Sequence, residues 1–312
     1  MKTTAQRWYI KFLQWKTQYL THRQFILLLC ALVGVATGFA ALAMRSLTHF
    51  IEEVLVGNII RYINYGFYVV FPAVGFLLVY LVKKYVIRKD VSHGIPSILY
   101  AVAKQKGIMK RFQAYGSLLT APITIGFGGS VGLEGPMVVT GAGISSQIAR
   151  LFHINQSDRM LLLACASAAA LAAIFKVPLA GILFAIEVFG LDLTLWSLLP
   201  LFVASLSGVL ISYLFFGNAA LLPIQVSGSF LMRNIPFYLL LGVVGGFMSA
   251  YFTFVYEWVN RFFARFSSPY VRLLIGGAVL GLLVFLMPPL YGEGHEVINH
   301  LKEGHPELSL GD

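Results

Sequence analysis

The sequence predicts an all-α polytopic membrane protein. Hydrophobic residues make up 58% of the chain, charged residues make up only 12%, and the mean hydropathy is +0.79. Soluble domains carry roughly 25% charged residues, so this chain holds about half of the usual charge. A soluble fold of this length could bury only part of the apolar surface, and lipid is the simplest environment for the rest.

Five long apolar segments are candidates for membrane-spanning helices. They cover residues 24–44, 66–82, 195–216, 235–257 and 271–288. Each approaches or exceeds the roughly 20 residues that a helix needs to cross a bilayer. Basic side chains such as Arg23, Arg45 and Lys83 mark their ends, as expected where a spanning helix leaves the membrane.

The basic residues are concentrated in alternate connections. The first 23 residues hold five basic side chains and no acid, and residues 83–111 hold eight basic side chains and the single acid Asp90. This asymmetry places both segments in the cytoplasm. We predict an amphipathic cytoplasmic helix over residues 1–23, lying on the membrane surface, and a transmembrane domain over 24–312. The net charge of +10 does not indicate nucleic-acid binding, because no basic face remains outside these flanks.

The middle of the chain is broken repeatedly by glycine and proline. The breaks include Gly94-Ile95-Pro96, Ala121-Pro122, Gly135-Pro136 and Val177-Pro178. Since proline suits the first position of a helix, we predict several short or tilted helices that begin within the membrane. Non-helical backbone at that depth is tolerated only where it is buried or lines a watery cavity. Interrupted helices of this kind mark the transport site of many carriers.

Glu134 is the most informative single residue. It is the only acid between Asp90 and Asp158, and apolar sequence surrounds it. An ionisable residue inside a membrane segment is a functional-site hypothesis by default. Gly135-Pro136 would open a helix and place Glu134 at its positive N-terminus, which also binds free anions. The carboxylate could therefore occupy an anion site when charged and leave it when protonated, although a purely capping role stays open.

Two further motifs flank this segment. Ser92-His93-Gly94-Ile95-Pro96 again places proline at a first helical position, and Gly94 lets backbone amides approach a ligand closely. The second motif runs from Phe175 to Glu187 and follows a run of small residues between Ala164 and Ala170 that suits close helix packing in lipid. Its charged residues, Lys176 and Glu187, are expected near the membrane surface.

Together and in this order, the three motifs resemble the CLC family of chloride channels and proton-coupled chloride exchangers. Residues 92–96 look like the family's G-S-G-I-P, and residues 132–136 look like its G-R/K-E-G-P. Residues 175–187 look like F-x-x-P-L-A-G-x-L-F-x-x-E. The resemblance implies a bundle of tilted and broken helices that forms a homodimer with one anion pathway in each subunit.

The resemblance also implies a site and a function. Glu134 would be the gate that competes with chloride, the transported ligand, and no cofactor would be needed. The anion-binding residues would be Ser92, His93, Gly94, Ile95, Pro96, Gly132, Leu133, Gly135 and Pro136. The protein would be a multi-pass protein of the inner membrane of a prokaryote, with lipid and a second copy of the chain as partners.

Two residues depart from the family pattern. His93 stands where the family has a serine hydroxyl, so the anion preference at that turn depends on backbone amides or on the imidazole. Val188 stands where exchangers carry a proton-relay glutamate, and it has no titratable group. We therefore expect passive anion flow gated by Glu134, with proton-coupled chloride exchange as the alternative.

The third departure concerns length. The family's later G-x-F-x-P turn and pore tyrosine do not appear before Asp312. The chain is thus expected to contain the first inverted repeat and the start of the second, as a fragment of a longer product or as a truncated product. A truncated, non-transporting subunit is the strongest rival function.

Other classes of protein function have weaker support from the sequence. Gly128 to Gly132 fits the G-x-S-x-G pattern of hydrolases around Ser130, but that motif needs a preceding strand. The polar C-terminal segment holds candidate metal ligands without the tight H-E-x-x-H spacing: His295, Glu296, His300, Glu303 and His305. A cation transporter would need several acids in the membrane core, where Glu134 is nearly alone. We expect that the protein is not an enzyme.

Overall fold

The computed structural model describes residues 20–60, 66–89, 94–192, 194–217 and 231–294, with only the backbone described at 58–60. All regular elements in these ranges are helices, which confirms the predicted all-α class. The surface helix predicted at residues 1–23 lies almost entirely outside the described residues, and the histidines and glutamates of residues 295–305 lie outside them as well.

The α-helices of the described part of the chain follow one another closely. They are α1 (His22–Glu52), α2 (Phe67–Leu81), α3 (Ile95–Lys104), α4 (Gly116–Gly126), α5 (Glu134–Leu151), α6 (Gln156–Phe175), α7 (Pro178–Phe189), α8 (Leu195–Phe216), α9 (Ile235–Ala264) and α10 (Pro269–Leu286). The first two continue as π-helical stretches, Glu53–Ile60 and Val82–Ile87. A short 3₁₀ turn at Pro288–Leu290 follows α10.

Six helical segments among the described residues are long and apolar enough to span a membrane. Five of them match the five apolar segments predicted from the sequence. The sixth is α6, whose alanine-rich sequence lies in the region that we expected to be broken. Length and composition therefore support a multi-pass membrane protein.

The glycine–proline motifs start helices as predicted. Ile95-Pro96 opens α3, Glu134-Gly135-Pro136 opens α5, and Pro178 opens α7. Pro122 differs from this pattern because it lies inside α4, as Pro72 lies inside α2. Membrane helices accept an internal proline because neighbouring helices and local adjustments satisfy the freed backbone groups.

Helix α6 lies at the centre of the bundle and packs against α1, α5, α7 and α8. Its small residues from Ala164 to Ala170 are completely buried, which agrees with the predicted close packing. Glycines on the neighbouring helices complete these contacts. A Cβ atom on Gly181 would collide with the carbonyl oxygen of Ala168, and one on Gly34 would collide with that of Ala204. The helices are thus in backbone contact, as small residues permit in lipid.

Lys176 differs from the expected surface position. Its side chain is buried, and its ammonium group donates a hydrogen bond of 2.7 Å to the carbonyl oxygen of Gly217 at the end of α8. The aromatic ring of Tyr213 lies 5.1 Å from the same nitrogen. A cation at a helix C-terminus satisfies free carbonyl groups and stabilises the helix dipole. Glu187, by contrast, is exposed near the end of α7.

Candidate functional site

The candidate site is built around the turn between α4 and α5. The backbone N–H groups of Gly128 and Gly129 donate hydrogen bonds of 2.8 Å to the carbonyl oxygens of Ile125 and Thr124, so the chain reverses sharply after α4. Helix α5 then begins at Glu134, and the N–H of Met137 donates to the carbonyl of Leu133 to close its first turn. Glu134 therefore stands at the helix N-terminus, as predicted.

The Glu134 carboxylate lies directly over Gly132. A Cβ atom placed on Gly132 would collide with Oε2 of Glu134. A Cβ atom placed on Gly135 would meet nothing within 4 Å. The carboxylate therefore folds back onto the chain just before its own helix, where the positive end of the dipole favours negative charge. We call this position, bounded by Gly132 and Glu134, the seat.

The second predicted anion-binding segment is described only in part. Ser92 and His93 lie outside the described residues. Gly94 precedes α3 with φ of 69° and ψ of −169°, a conformation that suits glycine. Ile95 and Ile98 belong to the same hydrophobic cluster as Leu133 and Met137. The N-terminal ends of α3 and α5 therefore pack against the same hydrophobic cluster.

A loop from the far end of the sequence packs against the turn after α4. The hydroxyl of Tyr291 donates a hydrogen bond of 2.5 Å to the carbonyl oxygen of Gly126. The Tyr291 ring contacts Tyr68 edge to face at 5.5 Å and lies where a Cβ atom on Gly128 would stand. Burial raises the pKa of Tyr291, so the hydroxyl keeps its proton and remains a donor.

We expect Tyr291→Phe to lower the free energy of unfolding by about 1 kcal/mol, since a buried carbonyl would lose its donor while the ring contacts remain. Thermal unfolding of the detergent-purified protein measures this change. Tyr251→Phe on the exposed α9 is the matched control and should be neutral. Equal midpoints for the two variants would contradict a structural role for this hydrogen bond.

Two charged residues near the seat were not singled out by the sequence. Burial, and after it the nearby carboxylate of Glu134, raise the pKa of Glu293, in the loop after α10, to about 7. Arg45, on α1, lies 4.9 Å from the ring of Phe216 and lines a narrow cavity beside Met137, one turn into α5. Their distance along the sequence from Glu134 left no local signal that could have found them.

Two other residues considered in the sequence analysis, Val188 and Ser130, lie among the described residues. Val188 is half-buried near the end of α7, where it contributes no titratable group. Ser130 is exposed in the turn that follows helix α4, rather than after the strand that a nucleophile elbow requires. The hydrolase interpretation therefore lacks its structural context.

Comparison with known families agrees with this arrangement. The family model described as "Voltage gated chloride channel" matches residues 74–311, which include the turn, the seat and the loop after α10. The chain belongs to the voltage-gated chloride channel family. This CLC membership confirms the resemblance inferred from the three motifs.

Known CLC proteins match most of the chain at low identity. The H⁺/Cl⁻ exchange transporter ClcA of Citrobacter koseri is 27% identical over 299 residues, which cover 91% of this chain and 63% of that protein. The ClcA protein of Salmonella arizonae is 26% identical with the same coverage. The chain thus spans less than two thirds of the length of these relatives.

Solved structures show the same fold. A CLC-type fluoride/proton antiporter superposes with a TM-score of 0.75 at 22% identity, over 93% of this chain and 73% of that one. A slow cyanobacterial Cl⁻/H⁺ antiporter gives a TM-score of 0.72 at 20% identity, over 90% and 68%. The bundle of tilted and broken helices is therefore the CLC fold.

Proposed function

We propose that the chain builds an anion pathway across the membrane, with chloride as the transported ion and Glu134 as its gate. One observation carries this proposal: the Glu134 carboxylate occupies the seat at the N-terminus of α5. A chloride ion of the same charge suits the same position, because free amides and the helix dipole attract either. A charged Glu134 closes the seat, and a protonated Glu134 leaves it.

The backbone around the seat supplies the remaining contacts in this proposal. Gly132, Leu133, Gly135 and Pro136 form the outer anion site, and the turn at Gly94, Ile95 and Pro96 approaches from α3. Ser92 and His93 complete that turn in the sequence and lie outside the described residues. The open space beside Gly135 gives an ion access to the start of the helix.

Passive flow is the mode that we propose first, because Val188 offers no proton-binding group at the relay position. Proton-coupled exchange is the second candidate. It is supported by the ClcA relatives, which are named as H⁺/Cl⁻ exchange transporters. A non-transporting subunit is the third candidate. Neither alternative requires an enzymatic activity or a cofactor.

The proposed setting is the inner membrane of a prokaryote, with the N-terminus in the cytoplasm. Apolar side chains cover the outside of α8 and α9, among them Trp196, Leu210 and Phe247. Lipid suits this surface, and a second copy of the chain would cover part of it in a homodimer. Reporter fusions to the N-terminus and chemical crosslinking in membranes test the orientation and the dimer.

Anion efflux from liposomes tests the function. Chloride and external pH are recorded together for the native protein, for Glu134→Ala and for the control Glu187→Gln at an exposed position. We expect Glu134→Ala to change chloride efflux severalfold and to remove its pH dependence, because the seat no longer holds a titratable group. Efflux without proton movement supports a channel, whereas efflux tied to proton uptake supports exchange.

Two results would contradict the proposal. Unchanged chloride efflux after Glu134→Ala would show that Glu134 is not the gate. No efflux from any variant, with protein shown to be folded in the liposomes, would favour the non-transporting subunit.

A further inference from the structure

A narrow cavity lies between α1, α5, α6 and α8, beside Met137 in the first turn of α5. Its lining is mostly apolar, with Arg45 of α1 and Ser212 of α8 as the polar residues. We expected Arg45 at the end of a spanning segment, but α1 continues to Glu52, so Arg45 lies inside the helix. A cationic side chain is thus held among packed helices, at the wall of a cavity.

The guanidinium of Arg45 is only partly satisfied by its surroundings. Its Nη1 nitrogen is buried and has no hydrogen-bond partner among the described residues. The guanidinium carbon lies 4.9 Å from the centre of the Phe216 ring, a favourable contact that brings no net negative charge. Arginine does not lose its proton in proteins, so a buried guanidinium needs a compensating partner.

A second cation lies at the same end of α8. Lys176 donates a hydrogen bond of 2.7 Å to the carbonyl oxygen of Gly217, and its nitrogen lies 3.5 Å from that of Phe216. Arg45 and Lys176 therefore contact the same residue, Phe216, one at its ring and the other at its carbonyl group. These carbonyl groups accept hydrogen bonds from the ammonium group but have no net charge to offset the two cations.

The acid that interacts with Arg45 does not fill this role completely. Glu293 attracts Arg45 electrostatically. However, no ion pair joins these two side chains in the part of the chain that the structure describes, and Nη1 keeps its free donors. The described charges around Phe216 thus favour a further negative charge at the cavity.

We propose that this cavity is a binding site for one small monovalent anion of halide size, held by Nη1 of Arg45. The cavity has room for roughly one water-sized sphere, which suits a small ion and excludes the phosphate group of a lipid. A water molecule would need two to four polar partners, whereas the lining offers few beyond Arg45 and Ser212. The site is separate from the seat, and the proposal holds whether or not the chain transports ions.

Diffraction from crystals of the native protein grown in sodium bromide locates the anion directly. Data recorded at the bromine absorption edge should show a peak in contact with Nη1 of Arg45, in addition to any peak at the seat. A peak at the seat alone, or no peak, would overturn the proposal and leave Glu293 as the counter-charge of Arg45. This measurement needs no substitution, so it decides the question even where a variant fails to fold.

Thermal unfolding in detergent measures the effect of the anion on stability. Sodium bromide is compared with sodium gluconate at equal ionic strength, because gluconate is too large for the cavity. An ion that binds only the folded state raises its stability. At tenfold the dissociation constant, we expect bromide to raise the unfolding midpoint of the native protein by about 2–4 °C.

Arg45→Met isolates the contribution of the cavity, since methionine keeps an unbranched side chain and removes the charge. Arg261→Met, at an exposed position on α9, is the matched control and should keep the full effect of bromide. We expect Arg45→Met to lose the part of the rise that comes from the cavity. Any effect of bromide at the seat is common to both variants, so equal rises in Arg45→Met and Arg261→Met would contradict the proposed site.

Discussion

Gly132→Ala is expected to release the gate while leaving the fold intact. The new methyl group would occupy the position of the Glu134 carboxylate, and a glutamate side chain can rotate away more easily than a backbone can move. Glu134 would then be forced off the seat at every pH. We expect chloride efflux from liposomes to match that of Glu134→Ala, with a severalfold change from the native protein and no pH dependence.

Gly242→Ala, on α9 and outside the proposed anion site, is the control. A methyl group there meets nothing within 4 Å, so the seat should keep its occupant and the efflux should keep its native pH dependence. Both variants add one methyl group, but only that of Gly132→Ala collides with the Glu134 carboxylate. Native gating in Gly132→Ala, together with a native unfolding midpoint, would show that Glu134 does not close the pathway from this position.

Gly281→Ala is expected to cause the largest loss of stability among single-methyl additions on α10. A Cβ atom there would collide with the backbone carbonyl oxygen of Val69, on the facing helix α2. Backbone cannot rotate away as a side chain can, so α10 must separate from α2. We expect a loss of about 2–3 kcal/mol, typical of overpacking in a tight interface, measured by thermal unfolding in detergent.

Gly276→Ala on the same helix provides the comparison. Its Cβ atom would meet only side chains, the nearest being Cζ of Phe263 at 3.7 Å. The substitution should be neutral or slightly stabilising, because alanine favours a helix over glycine by roughly 0.5–1 kcal/mol. Equal stability of the two variants would contradict the close contact between α10 and α2.

The helices could be predicted from the sequence because their signals are local. Apolar runs of spanning length marked α1, α2, α8, α9 and α10. Proline at a first helical position marked the start of α7 at Pro178, and Gly135-Pro136 marked the start of α5 at Glu134. A single acid in an apolar segment was sufficient to select Glu134, the residue around which we propose the site.

Contacts between distant segments could not be predicted in the same way. Tyr291 lies in a polar loop 165 positions from Gly126, and nothing in that loop indicates their hydrogen bond. Lys176 was expected at the surface because a charged residue at a helix end usually reaches water, but the end of α8 supplies a carbonyl group instead. The sequence predicts a break at Pro122, because a proline ring alone does not show which neighbours support the helix around it.

The hydrogen bond from Tyr291 to Gly126 joins residues 165 positions apart, and this separation sets an order of assembly. A ribosome makes the chain from its N-terminus at roughly 5–20 residues per second. Glu134 is therefore synthesised well before the loop that covers its surroundings, and α5 can insert while its N-terminal end still lacks that cover. The loop of residues 291–294 emerges only after α10, so the hydrogen bond from Tyr291 to Gly126 forms after the described α-helices have been synthesised.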